Sequence, residues 1–206
     1  DANAEPGVPQ HVRRLVDATH ATDAIHQLTL IGLSVPALKT LSTPQYSRFS
    51  QNAAKLITAD GHVDVFEWVV HRLLIKGLHA HFVGPTRTHG RVSKLAKVAK
   101  DASKLLSILA SHSHHESDDQ LSAYNTGIKA LGITVPFSKQ AYFDYEQMND
   151  ALGNLRELKP LIKPQLIKAC ASTVMHDGKL NVAEFALMQG IAATLDCPLP
   201  PSVYDA

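Results

Sequence analysis

Apolar residues recur along most of the chain at intervals of three and four. Leu95, Val98, Ala102, Leu105 and Leu109 form one such row; Leu121, Tyr124, Ile128 and Leu131 form a second; Tyr145, Met148, Leu152 and Leu155 form a third. A helix puts residues at that spacing on one face, so each row predicts an amphipathic helix with one side against a core. Alternating β-branched runs are missing. The two Asp-Gly pairs, Asp60-Gly61 and Asp177-Gly178, lie between helical rows rather than between strand-like ones. The pattern predicts an all-α chain of about eight or nine helices. Breaks fall at Pro36, Pro44, "FVGPTRTHG", "SHSHHESDD", "ITVPFS" and Pro160/Pro164. Residues 1–10 and 203–206 read as flexible tails around one helical domain over 11–202.

The chain also repeats itself. A shift of 117 positions carries Asp60 onto Asp177, Gly61 onto Gly178, Val65 onto Val182 and Glu67 onto Glu184. The same shift carries Leu38 onto Leu155, Leu41 onto Leu158 and Ala54 onto Ala171, and pairs Trp68 with Phe185. These matches sit on apolar helical positions and on the turn, which is the pattern of a duplicated helical unit over 38–74 and 155–191. Pro44 and Pro164 do not align, so the helix starts are expected to differ between copies.

Both copies read D-G-x-(apolar)-(D/N)-V-x-E-(aromatic), the second half of a calcium loop. With Asp60 at the fifth loop position, Gly61 is sixth, Asp64 ninth and Glu67 twelfth. Calcium also needs oxygens at positions one and three, where the copies carry Leu56 and Thr58, and Thr173 and Met175. Leu and Met cannot ligate, so a hard cation would lack most of its shell. A helix corner accounts for every residue. Gly61 or Gly178 takes the left-handed position after one helix. Asp64 or Asn181 caps the next, and Glu67 or Glu184 closes a capping box. Val63 or Leu180 is placed to pack on Trp68 or Phe185 as a staple. Asp60, Asp64, Glu67, Asp177 and Glu184 remain weak candidates for a divalent cation.

"ITADGHVDVFEWVVHRLL" and "VMHDGKLNVAEFALMQGIAATLDCPLPP" resemble tellurite-resistance TerB-like helical modules, which carry an A-D-G turn followed by an acidic helix start. The second segment, with its "LDCPLPP" ending, is similar to the C-terminal extension of bacterial membrane zinc metallopeptidases of the HtpX or CAAX-prenyl-protease kind. The likeness spans roughly residues 25 to 202 and departs at His176, which replaces the small residue before the Asp. It implies a non-catalytic accessory or regulatory domain that contacts the peptidase domain of the same polypeptide or another protein. That domain would lie on the cytoplasmic side, tethered to the inner membrane through its parent. Zinc would belong to the parent's catalytic domain, and this chain would hold no cofactor of its own. The alternative is a free-standing TerB-like metal-responsive or stress-related protein with weak cation binding at the acidic turns. A start without methionine is expected of a processed chain or an excised fragment.

Composition narrows the rest. Twenty basic and nineteen acidic residues leave a formal charge of +1, which argues against nucleic acid as a partner. No run of about 18 apolar residues predicts membrane insertion by this segment. Lys94, Lys97, Lys100 and Lys104, with Arg87 and Arg91 before them, form a basic stripe read as a solvated helix face. No HExxH or other catalytic constellation is present, so the chain alone is not expected to be an enzyme. "VGPTRTHGRVSK" has the wrong spacing for a phosphate loop. His112, His114, His115, Asp118 and Asp119 are conceivable ligands but read as a solvated linker. His71 and His79 read as core-edge histidines, and Cys170 as a small core residue.

Overall fold

Polar residues and prolines set the helix boundaries. The computed structural model describes residues 7–84 and 90–204. Among these lie nine α-helices: α1 Val8–His20, α2 Ala24–Leu38, α3 Thr43–Leu56, α4 Val65–Phe82, α5 Ala99–Ser113, α6 Ser117–Leu131, α7 Tyr145–Leu155, α8 Lys163–Val174 and α9 Val182–Leu195. Short 3₁₀ turns occupy Leu95–Val98 and Pro201–Val203. The chain is all-α, as its periodicity predicts; one isolated parallel bridge joins Val92 to Leu158. Asp23 caps α2 by accepting from the His26 N–H at 3.0 Å, and Asp144 caps α7 by accepting from the Gln147 N–H at 2.9 Å. Ser42 and Gln45 form a capping box at α3, where Pro44 sits in the first turn and gives up no helical hydrogen bond.

Several sequence expectations are corrected. Pro36 does not break the chain, because it lies in the last turn of α2, where only the Gly32 carbonyl loses a donor and both residues face solvent. Residues 8–10 are not tail: Gly7, with φ 89°, turns directly into α1, whose Pro9 fits the first turn. At the other end Val203 is buried. Leu121 is 45% exposed, because Gln120, Tyr124, Gly127 and Leu131 take the inner stripe of α6. The histidine-rich stretch is no linker, since only His114, His115 and Glu116 separate α5 from α6.

Two compact units are present. One holds α1–α3 and α4 from Glu67 onward; the other holds Asp64–Phe66 and the described chain from Gly90. In the first, the Tyr46 ring of α3 stacks on Phe82 of α4 at 4.2 Å. Gly77 lets α4 approach α2, since a Cβ there would meet Val35 at 2.9 Å. In the second, α5 is central and packs on α6, α7 and α8. Leu105, Leu106, Ile108 and Leu109 of α5 are buried with Tyr124, Met148, Leu152, Leu166, Leu187 and Ile191. The α6–α8 pairing is close at Gly127, where a Cβ would collide with the Thr173 hydroxyl and lie 3.1 Å from the Ala169 carbonyl.

Serines on α5 at intervals of four tie down the segment that returns over it. Ser107 accepts from the Ser138 N–H at 3.3 Å and Ser111 from the Gln140 N–H at 3.0 Å. Tyr124 donates its hydroxyl to the Val135 carbonyl at 2.6 Å and accepts from the buried Ser103 hydroxyl at 2.7 Å. These bonds satisfy backbone groups of a non-helical stretch that would otherwise lie unpaired against the core.

Candidate functional site: the two acidic corners

The carboxylates singled out by the sequence sit at or beside two turns of the same local construction. Gly61 has φ 77° and Gly178 φ 76°, both left-handed. The Gly61 N–H donates to the Thr58 carbonyl at 3.2 Å, and the Gly178 N–H donates to the Met175 carbonyl at 3.0 Å. Asp60 accepts from the His62 N–H at 3.0 Å; Asp177 accepts from the Lys179 N–H at 3.0 Å. Each Asp thus holds its own backbone two residues on, the Asx turn expected where a short acid precedes a left-handed glycine. The following helices begin at Val65 and Val182, positions related by the repeat shift.

In the second copy the capping box is complete. Asn181 accepts from the Glu184 N–H at 3.0 Å, and Glu184 accepts from the Asn181 N–H at 2.8 Å. In the first copy Asp64 stands just before α4, and Glu67 lies in its first turn. Val63 and Trp68 are buried, whereas Leu180 and Phe185 are half-buried; the Phe185 ring meets Tyr204 edge-on at 5.9 Å. Three carboxylates, those of Asp60, Asp177 and Glu184, therefore point at backbone N–H groups. Among the described residues no group of three or more His, Cys, Asp or Glu side chains is arranged to hold a metal ion.

Glu184 is the unusual member. It is buried, and burial pushes its carboxyl above the ordinary range; the Asn181 N–H pulls it back, and the Asp177 carboxylate pushes it further up. His114 is the neighbour that sequence reasoning misplaced. It is buried, with Nε2 2.9 Å from the Thr173 carbonyl, so Nε2–H donates and the turn after α5 is fastened to α8. Gln120 donates to the His114 carbonyl at 2.7 Å, closing the same turn. The acids in the first turn of α6, Asp118 and Asp119, were the available signal: they place a helix start at Ser117 and leave little room for a linker. His115, Asp118 and Asp119 are exposed, while His112 lies 6.0 Å from the Phe143 ring.

The remaining candidates are dispersed. Lys94, Lys97, Lys100 and Lys104 are exposed, Arg91 lies 3.7 Å from Glu157, and Arg87 is outside the described residues. Most of the glycine-containing loop from Val83 is also outside them. His71 is half-buried, and burial followed by the Arg72 charge lowers its pKa; His79 is half-buried too. Cys170 is fully buried and its thiol is pushed up to about 12, so it is neither a nucleophile nor a ready thiolate ligand. Among the described residues no helix is long and apolar enough to cross a membrane. Comparison with protein-family models, curated proteins and solved structures returns no match to the chain.

Proposed function

We propose that this chain is a non-catalytic accessory domain of a membrane-anchored zinc-metallopeptidase-like protein, acting by contact with the peptidase domain. The observation that carries the reading is the segment from Val174 to Pro201, whose D-G corner, acidic helix start and "LDCPLPP" ending resemble the C-terminal extension of such enzymes. The use of the corner side chains supports it. Asp60, Asp177 and Glu184 bond to backbone groups that shape the turns, which is the work of a scaffold. The burial of Cys170 and the bonding of His114 to a backbone carbonyl are likewise structural uses of residue types often found in catalysis. In this reading the domain lies on the cytoplasmic side and is tethered through its parent.

The complete reading frame tests the proposal first: it should encode an HExxH motif and membrane spans ahead of these residues. A complete frame without them contradicts it. A second test deletes residues 1–206 from the parent. The truncated protein should still bind one zinc per chain while its processing of a protein substrate changes. Loss of the zinc itself would mean that this chain supplies ligands, and the reading would fail.

A further inference from the structure

A groove of about 470 Å³ lies in the second unit, with α8 along one side and Thr126 of α6 and the C-terminal segment facing it. Ala171, Met175 and Pro200 give it apolar surface. Its polar side chains are one ammonium, three hydroxyls and one imidazole, and each hydroxyl can donate as well as accept. The Lys168 ammonium and the hydroxyls of Ser172 and Ser202 have no protein partner among the described residues. The Thr126 hydroxyl donates to the Ser122 carbonyl at 3.0 Å, so at 3.3 Å it accepts from Nδ1–H of His176. No carboxylate lines the groove among the described residues.

We propose that this groove binds a small organic oxyanion: a carboxylate or phosphate head on a short apolar body. An anion leaving water needs an opposite charge and directed donors, and Lys168, Ser172 and Ser202 supply both. The volume is that of a small-ligand site, and the apolar patch fits a body of a few carbons. The His176 ring stands edge-on to that of His114, with centroids 6.0 Å apart. Asp177 follows it in the chain with its carboxylate turned to the Lys179 N–H, and Glu184 lies beyond within the capping box. The inference stands whether or not the chain belongs to a peptidase.

The test is a ¹⁵N–¹H NMR titration of the 206-residue chain with sodium phosphate and, separately, sodium butyrate. Saturable shifts are expected at Lys168, Ser172, His176 and Ser202 with at least one of them. Lys168→Met should weaken binding about tenfold, and Lys168→Arg should retain it. Saturation with phosphate alone assigns a phosphate head, with butyrate alone a carboxylate head, and with both a general oxyanion site. No saturation with either at millimolar concentration, or unchanged affinity in Lys168→Met, overturns the proposal. Lys168 is exposed, so its loss leaves the fold in place to be measured.

Discussion

Gly61 and Gly178 have open space where a side chain would project, with nothing within 4 Å of the position a Cβ would take. A substitution at either is therefore penalised through φ alone, without a packing clash. Gly178→Val forces a β-branched residue into the left-handed region and should cost more than about 1 kcal/mol in chemical denaturation. Gly61→Val should do the same. A variant that unfolds like wild type would show that the corner does not need its left-handed turn. Glu184 permits a test with a pH signature. Its carboxyl is raised in the folded chain, so the fold holds this proton more tightly than the unfolded chain does. Its contribution is complete below the ordinary carboxyl pKa and is lost as pH rises through the folded value. Glu184→Gln keeps an oxygen for the Asn181 N–H and removes the charge. Relative to wild type, this variant should gain stability between acid and neutral pH; a parallel pH profile for the two proteins would refute the assignment.

At the scale of the element, the helices were legible because periodicity and caps agree. The rows at Leu105, Leu109, Met148, Leu152 and Leu155 all end up fully buried. The corners were legible because an Asp, a glycine at φ above zero and a capping residue have narrow geometric uses. What escaped depends on partners distant in sequence. Ser103, Ser107 and Ser111 look like solvent-facing residues until the segment at 135–140 is seen to return over α5. His114 resembles part of a polar linker until Thr173, remote in the chain, supplies its acceptor. Gly127 gives no turn signal at all; it is small because α8 passes so close. Gly127→Ala should destabilise the second unit by roughly 1–3 kcal/mol, since the Ala169 carbonyl is backbone and cannot swing aside. Thermal unfolding of that variant checks this, and an unchanged midpoint would mean that the α6–α8 crossing is looser than described.

For the whole molecule, the same turn appears twice, and in both the Asp before the glycine holds the backbone two residues on. The sequence favoured a corner because Leu56 and Met175 leave a calcium shell incomplete. The structure adds where the oxygens go: Asp60 and Asp177 to the N–H two residues on, Glu184 to the N–H of its cap. The groove beside His176 was not legible, because it forms only when α6, α8 and the C-terminal segment come together. The most direct measurement is the unfolding midpoint of the 206-residue chain with and without 1 mM calcium. A site with a Kd of about 1 μM would add roughly 4 kcal/mol at about 1 mM ligand and raise the midpoint by roughly 10 °C. With Asp60, Asp177 and Glu184 bonded to backbone and the shell otherwise incomplete, the two midpoints should coincide. A calcium-dependent rise that Glu184→Gln abolishes would contradict the account and make the corners cation sites.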